Sequence, residues 1–455
     1  MSLLLIAAAC AGGSRPAATA GSSDAARNAL TARIDSIVNA PISEGKVAGA
    51  TVAVVKGRDT IVIKGYGKAD LEWNVPMPAD AILELGSVTK QFTAAAIMQL
   101  VEQGKVNLDD DITKYLPNYP TQGNRIPVRH LLDHTSGIKG YTELPEFGVL
   151  MMRHLPKDSL VVLFSKRPFD FKPGEQETYN NSAFFLAGLI IEKASGMSYA
   201  DYVEKNLFDK AGMKDSRYCS EKAVYQRRAH GYGSDTTGFA LADYIDHTWP
   251  YAAGSLCSTV GDLIAWNQAL HGGKLLGPEA YAELIAPSTL NDGTKLRYSK
   301  GLSLADHAGH RTISHGGGIP GFSTEVAWFP EDTLSIVVLF NSIGQVGPRE
   351  VEEAIAEAVL GKPEAKAARY AGDLKEFEGT YKGRGRGQDT EMKVAVDSTG
   401  QLTMVMGKGK PDGLSYLSGD TFAFKELLIT FDRTNGKPSR IRFDGSYGYN
   451  FLDRK

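Results

Sequence analysis

The stretches of this chain that read most clearly as strands lie far apart in sequence, and any fold has to bring them together. GATVAVVKGRDTIVIKGYG, Gly49 to Gly67, gives two β-rich runs about the turn KGRD. TEVAWFP (Thr324–Pro330) and TLSIVVLFN (Thr333–Asn341) give two more about a turn at Pro330 to Asp332. Between them, from about Ile126 to Trp266, the pattern is one of helical pieces broken by Gly and Pro, the clearest being NSAFFLAGLIIEKASG, ended by Gly196. Leu30, Ile34, Ile37 and Val38 recur at helical spacing, which predicts a helix over Asp24 to Ala40 with Asp24 near its cap. REVEEAIAEAVLG predicts a closing helix. The reading is α+β: an antiparallel sheet built from the early hairpin and the late strands, flanked by the first and last helices, with an all-helical insertion. An active site is expected where the sheet meets the insertion.

A chain of 455 residues can hold one large domain and a smaller companion. From Phe377 the texture changes to FEGTYKG, TEMKVAVDSTGQLTMVMG, TFAFKE, LLITFD and RIRFDGSYGYNFLD, alternating segments punctuated by STG, SGD and TNG turns. These predict a small all-β antiparallel barrel. The division is therefore 1–24 as export signal and tether, 25–367 as the main domain and 368–455 as the barrel. The barrel could bind a ligand, shape the cleft rim or mediate dimerisation, and the sequence leaves oligomeric state open.

Net charge of −3 with interspersed signs argues against a nucleic-acid surface or a polybasic membrane patch. MSLLLIAAAC is too short to span a bilayer and reads as part of an export signal, although no Lys or Arg precedes it, which leaves the true start site open. Ala7, Ala8 and Ala9 before Cys10 resemble a lipoprotein processing site, with Leu the more usual residue at the Ala7 position. An exported protein, periplasmic, lipid-anchored at Cys10 to a membrane, or secreted, is expected, with AGGSRPAATAGSSDAA as a flexible tether. Cys219 and Cys257 are the other two cysteines; they either pair or stand as two buried thiols, and sequence alone leaves both open.

LGSVTKQF places Ser87 three residues before Lys90 at the entrance to a helix whose small apolar residues suit a buried position. A serine hydroxyl becomes a nucleophile when a base takes its proton, and a lysine serves only if burial or a nearby positive charge lowers its pKa. Ser-x-x-Lys alone is weak evidence. Two further stretches add to it: FKPGEQETYNNSAFFLAGLIIEKASG, with Tyr179 and Asn181 as Y-x-N before a helix, and ISHGGGIPGFSTEVAWFP, with His315, Gly316, Gly317 and Gly318 ahead of a strand.

In order, spacing and flanking sequence, including VRHLLDHTSGI, LDDDITKYLP and AAGSLCSTVGDLIAW, the chain resembles the class C β-lactamase-like serine hydrolases from about Leu30 to Leu360. That group also holds penicillin-binding D,D-peptidases, D-aminopeptidases and some esterases. The resemblance implies that Ser87 forms an acyl-enzyme and that Lys90 and Tyr179 jointly handle its proton. It implies that Asn181 holds Lys90 and the substrate amide, and that the N–H groups of Ser87 and Gly318 form the oxyanion hole. The glycines, Gly317 and Gly318 included, would let a substrate strand approach the backbone. His315 stands where dedicated β-lactamases carry lysine. A histidine there would be only fractionally charged near neutral pH, which weakens the β-lactam reading and favours D-aminopeptidases and esterases; the alternative is a packed structural histidine.

Other polar groupings have plain explanations. His130 and His134 lack the glutamate of a zinc-binding H-E-x-x-H. Asp109, Asp110 and Asp111 precede a short helix and read as its cap. KGRGRG around Arg384 falls at a barrel turn. The sequence thus predicts a serine hydrolase acting on the amide or ester bonds of a small molecule or short peptide, with no cofactor and no metal. The alternatives are a β-lactamase or D,D-carboxypeptidase, a non-turnover penicillin-binding sensor and a metallohydrolase.

Overall fold

The structure is a computed structural model and describes residues 20–307, 309–362, 369–385, 388–406, 409–424 and 427–455. An eight-stranded antiparallel sheet organises the first part. Its order is Tyr298–Ser299, Leu302–His307, His310–Ile319, Phe322–Phe329, Leu334–Phe340, Gly49–Lys56, Asp59–Asp70 and Val75–Pro76. The early hairpin and the late strands meet as Ala50↔Phe340 through Lys56↔Leu334.

Both central strands are buried along nearly their whole length, and the alternation of side chains divides them between two cores. Val52, Val54, Ile336 and Val338 face the helices Ala20–Ser43 and Pro348–Leu360, where Ile34, Val38, Val351 and Ile355 close the layer. Ala53, Val55, Val337 and Leu339 face the helical insertion. In that second core the helix Thr89–Glu102 is central and buried along most of its length, with Phe92 stacked on Trp266 at 3.9 Å between ring centroids. The helix Asn181–Ser195 lies against it and ends at Gly196 in the left-handed conformation, φ 73°. Among the described residues no helix is long and apolar enough to cross a membrane.

The C-terminal strands form one antiparallel sheet that runs from Asp412–Gly413 to Ser415–Ser418, two strands separated by a single residue, so the sheet curls into a nearly closed barrel. Phe377, Tyr381, Met392, Phe422, Ile429, Phe431 and Ile441 fill it. The TNG turn takes positive φ at Asn435 (51°) and Gly436 (77°), as a two-residue hairpin connection requires. One barrel strand, Gly448–Arg454, also pairs outside its own domain with Glu177–Thr178, through Gly448↔Thr178 and Tyr449↔Glu177.

Several expectations need correction or placement. The first helix spans Ala20–Ser43 of the described residues, so Asp24 lies inside it and is not its cap, and the end of the expected tether is helical. The expected export segment up to residue 19, with Cys10, and the domain boundary at 367/368 lie outside the described residues. RIRFDGSYGYNFLD is two strands, Lys437–Gly445 and Gly448–Arg454, because GSYG makes a turn inside it. Asp111 caps the short helix Ile112–Lys114 by accepting from Thr113 N–H, while Asp109 and Asp110 pair with Arg129 and Lys114.

Cys219 and Cys257 form a disulfide, which settles the choice against two free thiols. The strand Leu256–Ser258 carries Cys257 and pairs with Leu83–Glu84, just upstream of Ser87. The bridge therefore braces the strand that feeds the nucleophile. Closing a loop with a sequence separation of 38 removes unfolded-state entropy worth about 2–4 kcal/mol. Reduction, or the double change Cys219→Ser/Cys257→Ser, is expected to lower unfolding free energy by that amount in urea titrations; an unchanged midpoint would show that the bridge contributes nothing.

Candidate active site

Ser87 sits in a short 3-10 turn, Gly86–Val88, that runs directly into the helix Thr89–Glu102. The turn is clamped from both sides. Leu85 N–H donates to Leu256 O at 2.8 Å, and Thr324 Oγ1 donates to Leu85 O at 2.8 Å. Gly86 has φ 52°, and a Cβ there would lie 2.9 Å from the backbone N, C and O of Gly318. Glycine is thus required on both conformational and steric grounds, and its absence of a side chain lets the nucleophile turn touch the His310–Ile319 strand.

Lys90 is fully buried, and its Nζ has three neighbours: Ser87 Oγ at 3.1 Å, Asn181 Oδ1 at 2.7 Å and Ala253 O at 2.8 Å. Burial pushes its pKa well below the ordinary lysine value. A neutral amine has two N–H donors and one lone pair. The amide and carbonyl oxygens are pure acceptors and take the two N–H groups, which leaves the lone pair for the Ser87 hydroxyl. The arrangement suits an amine that receives a proton from serine.

Asn181 is held for this task by its neighbours. Asn180 caps the helix Asn181–Ser195, its side chain accepting from Ala183 N–H at 2.9 Å and donating to Ile138 O. Asn180 N–H donates to His134 Nδ1 at 3.1 Å. Asn181 Nδ2 reaches Thr142 Oγ1 at 3.4 Å, so its Oδ1 is the atom turned to Lys90. The Tyr179 ring lies over Lys90, with Nζ 4.7 Å from the ring centroid, and packs on His134 at 4.4 Å. His134 is therefore a buried support of the Tyr-Asn-Asn turn. It belongs to neither His/carboxylate grouping found among the described residues, Asp70–Glu72–His230 and Glu84–Glu221–His247. In the second of these, Glu221 and Glu84 outweigh burial and raise the His247 pKa to about 9, and Arg228 also pairs with Glu84. A protonated imidazole has no lone pair for a metal.

His315 departs from expectation in its charge. It is completely buried, and burial lowers its pKa to about 3. It is neutral at physiological pH, where the sequence predicted fractional charge. Its Nδ1 lies 2.6 Å from Gly316 O, which can only accept, so Nδ1 carries the proton and Nε2 accepts from Tyr298 Oη at 3.0 Å. The glycines after it also divide differently from expectation. A Cβ on Gly317 would meet Leu85 O at 2.0 Å and Thr324 Oγ1 at 2.2 Å, so the lack of a side chain here admits the nucleophile turn. Gly318 is exposed, and a Cβ there would have only Ile343 Cδ1 within 4 Å.

A cavity of about 180 Å³ opens on Ser87 and Gly318 and is lined by Tyr141, Phe147, Met151, Asn181, Ile245 and Pro250 among others. A wider one of about 680 Å³ shares Ile245 and Pro320 with it and carries Glu72, Glu84, Glu221 and Arg228. One residue that sequence reading missed reaches the site from the barrel: Tyr447, whose Oη accepts from Gly316 N–H at 3.0 Å. Its ring stands 5.3 Å from His315 and 5.5 Å from Tyr179. The signal for it was the Gly-Ser-Tyr-Gly turn inside a segment read as one continuous run.

Comparison with known proteins agrees with this geometry. The beta-lactamase family model matches residues 30–360. The chain is 30% identical over 335 residues to penicillin-binding protein 4* of Bacillus subtilis (strain 168), covering 69% of this chain and 72% of that protein. It is 30% identical over 335 residues to a D-aminopeptidase of Brucella anthropi, covering 72% of this chain and 62% of that protein, so it spans less than two thirds of that relative. Among solved structures it is similar to the octameric penicillin-binding protein homologue from Pyrococcus abyssi, with TM-score 0.66 and 26% identity over 93% of this chain and 99% of that one. It is also similar to the D-amino acid amidase from Ochrobactrum anthropi SV3, with TM-score 0.63 and 26% identity over 73% and 98%. With the family match running through both the sheet and the helical insertion, this chain belongs to the beta-lactamase family and is a serine hydrolase.

Proposed function

We propose that this protein is an exported hydrolase that cleaves amide or ester bonds of small D-amino-acid derivatives through an acyl-enzyme on Ser87. The observation that carries the reading is the fully buried Lys90 Nζ, its pKa lowered by burial, 3.1 Å from Ser87 Oγ and held by Asn181 Oδ1 and Ala253 O. In the proposed sequence Lys90 takes the proton of Ser87 Oγ as the oxygen attacks the substrate carbonyl. The N–H groups of Ser87 and Gly318 hold the resulting oxyanion. Tyr179 passes the proton to the departing amine or alcohol, and water then attacks the acyl-enzyme by the reverse relay.

Neutral His315 supports the order of substrates. A penicillin or a D,D-peptide presents a carboxylate, which is best held by a fixed cation, and His315 supplies none at neutral pH. D-amino-acid amides, esters and aminopeptidase-type substrates have no such need. Two of the four named relatives, a D-aminopeptidase and a D-amino acid amidase, support the same class. The alternatives, a β-lactamase, a D,D-carboxypeptidase or a non-turnover sensor, call for a carboxylate partner or a blocked deacylation step. The Cys219–Cys257 bridge supports export, since disulfides persist in oxidising compartments.

Ser87→Ala is expected to reduce hydrolysis of D-alanine p-nitroanilide and of a short p-nitrophenyl ester by about 10³-fold or more, with a cephalosporin the poorest substrate of the three. Equal rates for wild type and variant would overturn the nucleophile assignment. Because Lys90 must be neutral to accept a proton, kcat/KM should be full above its lowered pKa and fall as pH drops through it. His315, at about 3, titrates below the neutral range, so His315→Gln is expected to leave that acid limb in place. A limb that moves with His315 would reassign the titrating base. Gly86→Ala forces a methyl against the Gly318 backbone and is expected to lower kcat by about 10²-fold, through displacement of an oxyanion donor.

A further inference from the structure

The His310–Ile319 strand offers its outer edge to three different partners. Along an antiparallel strand alternate residues direct N–H and C=O to the same side, so Ser314, Gly316 and Gly318 share one edge. Ser314 is paired by Ser303 of the neighbouring strand Leu302–His307, where that ladder ends. Gly318 faces Ser87 across the open cleft. Gly316, between them, is occupied by Tyr447, whose hydroxyl accepts its N–H.

Tyr447 is fixed there by the hairpin it belongs to. It stands in the turn between Lys437–Gly445 and Gly448–Arg454, and the second of these strands pairs with Glu177–Thr178, the residues just before Tyr179. Its ring meets Tyr179 edge-on at 89°, and also contacts His315 and Tyr298. The cavity beside Ser87 extends instead toward Asn181, Tyr141 and Phe147, and neither Tyr179 nor Tyr447 lines it. The cavity beside the nucleophile thus opens on the Asn181 side, while on the Tyr179 side, where the departing group receives its proton, Tyr447 packs against Tyr179.

We propose that Tyr447 sets the leaving-group limit of this enzyme. By holding the Gly316 edge position and walling the Tyr179 side, it admits acyl donors whose departing group is small, such as ammonia, methanol or a single amino acid. It excludes longer peptides that would extend along the strand. This inference rests on the acyl-transfer reading of Ser87 and Tyr179. Tyr447 is a specificity-determining residue in this scheme, and the barrel is the part of the chain that supplies it.

The test compares D-alanine amide with D-alanyl-triglycine, which share an acyl group and differ in the departing group. Wild type is expected to favour the amide. Tyr447→Ala is expected to shift the ratio of kcat/KM values toward the peptide by about 10-fold or more, while Tyr447→Phe, which keeps the ring, holds the ratio within about 3-fold of wild type. If both variants lose rate on both substrates by the same factor, Tyr447 is only a packing residue and the proposal is overturned. The comparison is repeated with methyl acetate and the acetate ester of a long oligoethylene glycol ether. An enzyme inactive on the D-alanine pair but active on these esters would fail the D-amino-acid reading alone, and the ester ratio in the same variants would still decide the role of Tyr447.

Discussion

Removing a lysine amine from water is the constraint around which this site is built. An ammonium ion buried without compensation costs several kcal/mol, so the group either loses its proton or gathers partners. Here burial lowers the Lys90 pKa, and two oxygen acceptors fix the orientation of the amine. Each acceptor comes from a different part of the chain. Asn181 depends on the cap made by Asn180, and Ala253 depends on the short helix Tyr251–Ala253. Ser87 depends on the clamped turn between Leu256, Thr324 and the glycine strand. Distant loops are held in register because one nitrogen needs them all.

The same burial explains the neutrality of His315. A charged imidazole in this layer would be cut off from water, so burial lowers its pKa. The histidine is used as a hydrogen-bonding spacer, donating from Nδ1 to the next residue and accepting from Tyr298. It stands, without a charge, at the position where dedicated β-lactamases carry a lysine.

Much of this was legible in the sequence because its signals are local. The hairpin about KGRD, the strands flanking Pro330–Asp332 and the helix closed by Gly196 follow from alternation, turn residues and a glycine C-cap. Ser87, Lys90 and Asn181 announced themselves as motifs and do converge. The charge of His315 was not legible, because it depends on burial by elements distant in sequence. The role of Gly317 was hidden for the same reason: only the approach of Leu85 and Thr324 explains why no side chain fits. The Cys219–Cys257 pairing needed the strand Leu256–Ser258 to be placed beside Arg217–Tyr218. Tyr447 was missed because a two-residue turn within a strongly alternating run leaves little trace in hydrophobic pattern.

The pairing of Gly448–Arg454 with Glu177–Thr178 has a bearing on how the molecule comes into being. The strand that abuts the catalytic tyrosine segment lies within the last few residues of the chain, and the first sheet strand must wait for Leu334–Phe340. Contacts of such long range form late and slowly. During synthesis Ser87 and Lys90 leave the ribosome long before the strands that complete their surroundings. The surroundings of the nucleophile are therefore completed by segments made well after the nucleophile itself.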